Sequence, residues 1–460
     1  MFFLLIPEID KLLGIEVYAT TTTGVGGVIR ESIDDFVVEE VLVDSSKATV
    51  NGAVPNKVLG STVQKQRFLL CVLVKRNWDT FIVVKNVARA LGIDQGRVQF
   101  AGIKDAKAIT AQHISIENVS IKEVGKVDVK DVKLHPIGYV MEMLSLFYLL
   151  GNNFTIIIKS LKDLRSIVGE RVTQTMRGLE DIGGIPNFFG HQRFGTTRPI
   201  THLVGRALVR GNFEEGAMLF LAKPSVHEHP DSRQARQELE STRNFKQALD
   251  NFPKQLRFER LMLYHLVDNP GDFVGAFQRL PLKLQALFVQ AHQSYLFNRF
   301  ISERIKHDLP LNNAVVGDFV VGVESSGLPV TSMAKVATTE NLAEVNAQVK
   351  VGKLRVALPI FGAKQKLSQG IMEQIENEVL EQEGFEAENL RVNVLSKSGW
   401  KGGLRTVVTP IKDFILRSIS VDAGGNGCQA ELSFKLLRGS YATVLLREIM
   451  KPSDPISAGF

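Results

Sequence analysis

Cysteine is nearly absent: Cys71 and Cys428 are the only two in 460 residues. Thiols this few and this far apart in sequence cannot supply a thiolate metal site or a local redox motif, and they imply a reducing compartment. Long apolar runs are absent too. Met1-Phe2-Phe3-Leu4-Leu5-Ile6 is apolar, but Pro7, Glu8 and Asp10 follow at once and no basic segment precedes it, so it reads as neither a secretion signal nor a membrane span. A cytoplasmic protein without a membrane partner is expected. Gly24-Val25-Gly26-Gly27 lacks the dinucleotide-binding spacing and the Lys-Ser/Thr of a P-loop, and reads as a turn. His227-Glu228-His229 has metal-ligating residue types, yet it lies between Pro224 and Pro230 without a matching Cys or carboxylate cluster, so no metal is expected. No internal repeat or low-complexity segment occurs.

What is present is an ordinary globular composition, 44% hydrophobic and 23% charged, in a chain long enough for two to four domains. The net charge of +6 and the pI near 9.1 favour a polyanionic partner. Two stretches are basic without any acid: Ile182 to Phe213, with Arg193, Arg198, Arg206 and Arg210, and Arg391 to Lys412, with Arg391, Lys397, Lys401, Arg405 and Lys412. Phe188, Phe189, Phe194 and Trp400 lie in or beside them. Cations beside stacking rings suit unpaired RNA, with Arg206 and Arg210 as expected phosphate contacts, although the same pattern fits a solvated face beside core aromatics.

Periodicity indicates an α+β protein. Asp35 to Val43, Phe68 to Val74, Val98 to Phe100 and His113 to Ile116 read as strands, as does the alternating run from Phe154. Asp79-Thr80 caps a helix to about Leu91, where Gly92 stops it, and Leu164 to Leu179 has helical spacing at Ile167, Val168, Val172 and Met176. Beyond Gly190 the pattern becomes helix-rich, with helices expected at Asp231 to Asp250, Leu282 to Ile305 and Ile371 to Glu383, and a connection at Lys306 to Val315. Strand character returns at Ala430 to Leu437.

Ala101 to Gln112 (Ala-Gly-Ile-Lys-Asp-Ala-Lys-Ala-Ile-Thr-Ala-Gln) sets Lys104 and Asp105 on a turn between strand-like flanks. Lys104 or another cation nearby would keep the Asp105 carboxylate ionised, as a nucleophile or general base requires. By itself such a pair is more often a solvated surface contact, contributing about 0 to 1 kcal/mol.

Gly102-Ile103-Lys104-Asp105 with Ala108-Ile109-Thr110 and Gln112 resembles the signature of the TruD family of tRNA pseudouridine synthases. Further similar motifs follow that family's order: Arg30 to Glu40, Gly151-Asn152-Asn153-Phe154-Thr155-Ile156, Gly184 to Gly190 leading to Gln192-Arg193-Phe194-Gly195, Gln293 to Asn298, and Gly439-Ser440-Tyr441-Ala442-Thr443 through Arg447-Glu448. Arg30 and Ile33 stand where the family usually has Lys and Pro.

The resemblance implies a pseudouridine-synthase-like catalytic domain with a mixed, mainly antiparallel sheet, interrupted by a large α/β insertion domain. Residues 1–189 and 409–460 would form the catalytic domain and 190–408 the insertion. It further implies isomerisation of uridine to pseudouridine in tRNA, at position 13, with no cofactor. Asp105 would be the catalytic nucleophile or base and Arg30 the cation beside it. Phe36, Asn152 and Tyr441 would contact the substrate nucleotide, and Phe154 would stack on the target base. Pro186 to Gly190 reads as a loop anchored by Phe188 and Phe189, and Tyr295 and Phe297 as core. A noncatalytic tRNA-binding protein on the same scaffold and an unrelated aspartate-dependent hydrolase are the alternatives. A monomer is the default.

Overall fold

The computed structural model describes residues 5–53, 57–385, 400–422 and 427–460. Its architecture is α+β. An eight-stranded sheet runs in the order Lys412–Val421, Cys428–Leu437, Leu149–Leu161, Phe36–Leu42, Ile109–Glu117, Phe68–Arg76 and Val132–Val140, with Val98–Phe100 on the side of Ile109–Glu117. Neighbours pair antiparallel except Phe36–Leu42 with Ile109–Glu117, which run parallel. The sheet is therefore mixed and mainly antiparallel.

The continuous apolar run Phe68 to Val74 is a strand covered on both faces, which is why it does not alternate. Leu69, Cys71 and Leu73 meet Val83, Val84 and Val87 of the helix Thr80–Ala90. That helix starts as its sequence indicates, with Asp79 Oδ1 accepting from Phe81 N and Ile82 N at 2.8 and 3.1 Å. Leu149–Leu161 instead alternates, and Phe154, Ile156 and Ile158 pack with Phe36 and Val38 into the main core. Helices Arg165–Asp181, Leu282–Lys306 and Ala442–Met450 supply the opposing side chains, among them Val172, Phe297 and Leu445.

Helices Thr201–Val209, Phe213–Ala222, Pro230–Thr242, Phe245–Asn251, Arg257–Asp268 and Phe273–Gln278 enclose a second core that includes Leu208, Leu221, Leu239, Leu263 and Phe277. A four-stranded sheet follows, ordered Gly403–Thr406, Leu354–Ile360, Phe319–Val323 and Pro329–Val336. The single helix expected at Asp231 to Asp250 is two. Arg243 adopts a left-handed φ of 51°, and the Asn244 side chain accepts from Gln247 N at 3.1 Å, so a fresh N-cap replaces continuation of the first helix. His229 caps Pro230–Thr242 and Glu228 pairs with Arg236 at 3.0 Å, which gives both residues structural partners. Among the described residues no cluster of His, Cys, Asp and Glu is gathered for a metal, and no helix is long and apolar enough to cross a membrane.

Candidate active site

Strand register brings three of the expected residues, Phe36, Asn152 and Phe154, to one place. Phe36 pairs with Ile156, Val38 with Phe154 and Glu40 with Asn152, so Phe36, Glu40, Asn152 and Phe154 share a sheet face. Gly151 allows the neighbouring strand to close in, since a Cβ there would stand 2.1 Å from Leu436 O. Over this face opens a cavity of about 520 Å3, walled by the turn Arg438 to Thr443 on one side and by Ile103, Asp105 and Gln192 on the other. Arg30, Phe36, Asp105, Asn152, Phe154 and Tyr441 all line it. A second cavity, of about 760 Å3, shares Arg30, Asp105 and Gln192 and extends past Lys107 and Thr197.

Asp105 is partly exposed, with 23% of its side chain accessible. Its Oδ1 accepts from Arg30 Nη2 at 2.9 Å and from Gln192 Nε2 at 2.8 Å, while Oδ2 accepts no hydrogen bond from the described residues. The turn beneath it is fixed by the backbone. Lys75 Nζ donates to Asp105 O at 2.6 Å, and Thr80 Oγ1 accepts from Lys104 N at 3.1 Å.

Arg30 is the cation that serves Asp105. Its Nη1 also donates to Gly459 O at 2.9 Å, and its guanidinium carbon lies 4.0 Å from the centre of the Phe36 ring. Burial pulls its pKa below the usual arginine value, and the Asp105 charge opposes that fall. The residue holds φ at 58°, a left-handed conformation that costs a non-glycine residue on the order of 1 kcal/mol. Lys104, adjacent to Asp105 in sequence, is instead buried against Glu40 at 2.7 Å. Burial pushes the Glu40 carboxyl up, but Lys104 and His113 outweigh it and hold it below its ordinary value.

Phe154 is both a wall of the cavity and a core residue, 4% exposed, with Phe36 edge-on at 6.2 Å and Phe434 stacked at 5.3 Å. Tyr441 stands at the N-cap of Ala442–Met450 and touches the Phe189 ring at 6.3 Å. Gly190 permits that contact, because a Cβ there would lie 3.1 Å from the Tyr441 ring. Three buried polar atoms of the lining residues find no partner among the described residues: Arg30 Nε, Asn152 Oδ1 and Thr443 Oγ1. Such atoms call for water or a bound molecule to supply the missing hydrogen bonds.

Sequence reasoning passed over the parts played by Gln192, Lys75 and Thr443. Gln192 and Thr443 stand inside quoted motifs, but nothing local signals that Gln192 reaches Asp105 or that Lys75 grips its carbonyl.

The basic stretches behave differently from the RNA-contact reading. Arg198 faces Glu228 and Glu259 at 4.0 and 3.8 Å, Arg206 meets Glu383 at 3.6 Å, and Arg210 donates to Glu383 O. Arg405 donates to Asn187 O and lies 4.1 Å over the Phe189 ring. Phe188, Phe194 and Trp400 are buried core residues. Arg391 and Lys397 lie outside the described residues.

A model of the family tRNA pseudouridine synthase D (TruD) matches residues 12–449. This chain belongs to that family. A Methanosarcina mazei relative named "Probable tRNA pseudouridine synthase D" is 36% identical over 447 residues, covering 97% of this chain and 98% of that protein. One of the same name from Thermococcus sibiricus is 36% identical over 440 residues, covering 94% and 97%. The crystal structure carrying the name tRNA pseudouridine synthase D (TruD) from Methanosarcina mazei superposes with a TM-score of 0.82 at 36% identity, covering 98% of this chain and 99% of that one.

Within this TruD-family chain the two departures have local explanations. Arg30 keeps the positive charge and reaches Asp105. Ile33 is the first residue of the short helical turn Ile33–Asp35, capped by Ser32 and Asp35, and the first helical position accepts proline without requiring it.

Proposed function

We propose that this protein isomerises uridine to pseudouridine in tRNA, at position 13, acting as a cytoplasmic monomer. The observation that carries the reading is an Asp105 carboxylate paired with Arg30 through one oxygen, at a cavity whose lining holds buried, unpaired polar atoms. Family membership and the relatives' names support tRNA as the substrate.

In our reading Phe36, Phe154 and Tyr441 wall the base, and side-chain rotation brings the now-buried Asn152 Oδ1 to the uracil N3–H and Thr443 Oγ1 to a ring carbonyl. Phe154 is braced by Phe36 and Phe434, so it would meet the base as a fixed surface. The base must first leave its stack to reach such a cavity. The N1–C1′ bond then breaks, the detached ring turns, and C5 bonds to C1′. C5 loses a proton and N1 gains one, so atoms and electrons balance without an oxidant, a reductant or a cofactor. Asp105 acts as nucleophile or base on the ribose or the base, and either role needs an accessible oxygen such as Oδ2, which Arg30 and Gln192 leave open by binding Oδ1.

We also read residues 1–189 and 409–460 as the catalytic domain and 190–408 as the insertion. The pairing of Cys428–Leu437 with Leu149–Leu161 supports this division, as does the separate helical core within 190–408.

The test is Asp105→Asn, which preserves size and removes the charge. Pseudouridine formation in an unmodified tRNA transcript is expected to fall by several orders of magnitude, with tRNA affinity nearly unchanged. Substantial turnover by the variant would sink the assignment, and a parent protein that binds tRNA without forming pseudouridine would make the chain a noncatalytic binder.

A further inference from the structure

The cavity has an apolar lip that the proposed chemistry does not use. Between the strands Val132–Val140 and Leu149–Leu161, the segment 141–148 exposes Met141 at 68%, Met143 at 54%, Leu146 at 59% and Phe147 at 83%. Isolated exposed apolar residues need no explanation, but four in one short segment form a patch. Phe147 is the most exposed phenylalanine among the described residues, followed by Phe81 at 50% and Phe258 at 44%. It stacks on no other ring there.

The patch is held out by built structure. Arg438 Nη1 donates to Leu146 O at 2.6 Å and to Leu149 O at 3.2 Å, and Tyr148 OH donates to Glu142 Oε2 at 2.6 Å. Tyr148 O accepts from Val43 N at 2.9 Å, which ties the turn to the sheet. A braced turn presents its aromatic ring at little further loss of conformational entropy, which favours a contact surface.

The patch is also continuous with the candidate site. Leu146, Arg438 and Ile103, the last 62% exposed, line the same cavity as Asp105. A polynucleotide that delivers one base to this cavity leaves the adjoining base unstacked at its mouth. An exposed ring on a turn whose carbonyls hold a guanidinium offers that base a stacking face and its phosphate a cation.

We infer that Phe147, on the turn braced by Arg438, is a stacking platform for the base adjoining the target uridine. The inference rests on the reading of the cavity as a uridine site. It adds a contact outside the reacting nucleotide, one that selects for an unpaired or locally opened neighbour.

The experiment uses the full chain and an unmodified tRNA transcript, comparing Phe147→Ala, Phe147→Trp and Phe258→Ala with the parent. Direct tRNA binding, single-turnover pseudouridine formation, thermal melting and sedimentation are measured for each. Phe147→Ala is expected to weaken tRNA binding by about five- to a hundredfold with unchanged melting, Phe147→Trp to bind as the parent does, and Phe258→Ala to change nothing. A parent that forms pseudouridine together with a Phe147→Ala variant of equal affinity and rate overturns the platform and leaves the uridine reading standing. A parent that binds tRNA but forms no pseudouridine overturns the uridine reading and this inference with it. Loss of a dimer in Phe147→Ala with unchanged tRNA affinity would assign the patch to a second copy of the chain and overturn the nucleotide assignment.

Discussion

Asp105 is gripped at its main chain as well as at its carboxylate. Lys75, fully buried on Phe68–Arg76, donates from Nζ to Asp105 O at 2.6 Å and to Trp78 O at 2.7 Å. Burial pulls its pKa down to about 8, while the charges of Asp105 and Asp79 pull it up and Lys104 adds to the fall. Since the folded value lies below the unfolded 10.5, the folded chain binds this proton less tightly; the resulting penalty is full below pH 8 and is relieved as pH rises toward 10.5. Activity should move the other way, because deprotonation near pH 8 removes the charge that strengthens both bonds of the clamp, although two N–H donors remain. Lys75→Met is expected to lower the single-turnover rate on the order of a hundredfold through misplacement of Asp105, with KM little altered, and to abolish any step in the rate profile near pH 8. Single-turnover rates from pH 6 to 9.5 check this. A variant that keeps the parent's profile would deny Lys75 the positioning role.

Elements carry their own titratable features. The helix Ile371–Gln382 buries Glu376, whose oxygens accept from Ser368 N at 2.8 Å and from Ser368 Oγ at 2.7 Å. Burial raises its pKa from 4.5 to about 8, the Ser368 bonds oppose the rise, and Asp318 assists it. A raised carboxyl holds its proton more tightly when folded, so its contribution is greatest at low pH and is lost as pH rises from about 4.5 to 8. In urea unfolding this group should therefore make the parent less stable at pH 8 than at pH 5. In Glu376→Gln, which keeps the amide within reach of Ser368, that difference should shrink. An unchanged difference would mean that Glu376 is ionised in the folded protein. The break at Arg243 belongs to the same scale: helical spacing continues across 231–250, and the Asn244 cap, a competition between side chain and backbone, ends the first helix.

At the scale of the whole molecule the positive charge that faces solvent differs from the charge counted along the chain. Arg198, Arg206 and Arg210 are occupied by Glu228, Glu259 and Glu383, which lie outside the acid-free stretch. Lys107, exposed at the cavity next to Asp105, is a better phosphate contact. Lys107→Gln is expected to reduce the slope of log Kd for tRNA against log salt by about one, while Arg206→Gln leaves the slope unchanged. Titrations between 50 and 300 mM salt decide this, and the reverse pattern would restore Arg206 to the interface. The main core gathers Phe36 and Phe154, Phe300 and Val320, and Phe434 and Leu445, so all three chain segments share one apolar interior.

The sequence by itself determined the α+β class, the capped helix after Asp79, the strand at Phe68 to Val74 and, through the order of its motifs, the family. These are local or cumulative properties: a cap needs its next three residues, a strand needs only its own run, and several motifs in order need no coordinates. Resemblance, not spacing, singled out Arg30, Phe36, Asn152, Phe154 and Tyr441, and strand register is what carries Phe36, Asn152 and Phe154 to one face. Tertiary structure alone decided which charge meets which. Lys104 is Asp105's neighbour in sequence yet faces the buried Glu40, while Arg30 and Gln192 reach Asp105 from distant segments. The reason is physical: an ion pair depends on separation in space and on burial, and neither is set by position along the chain.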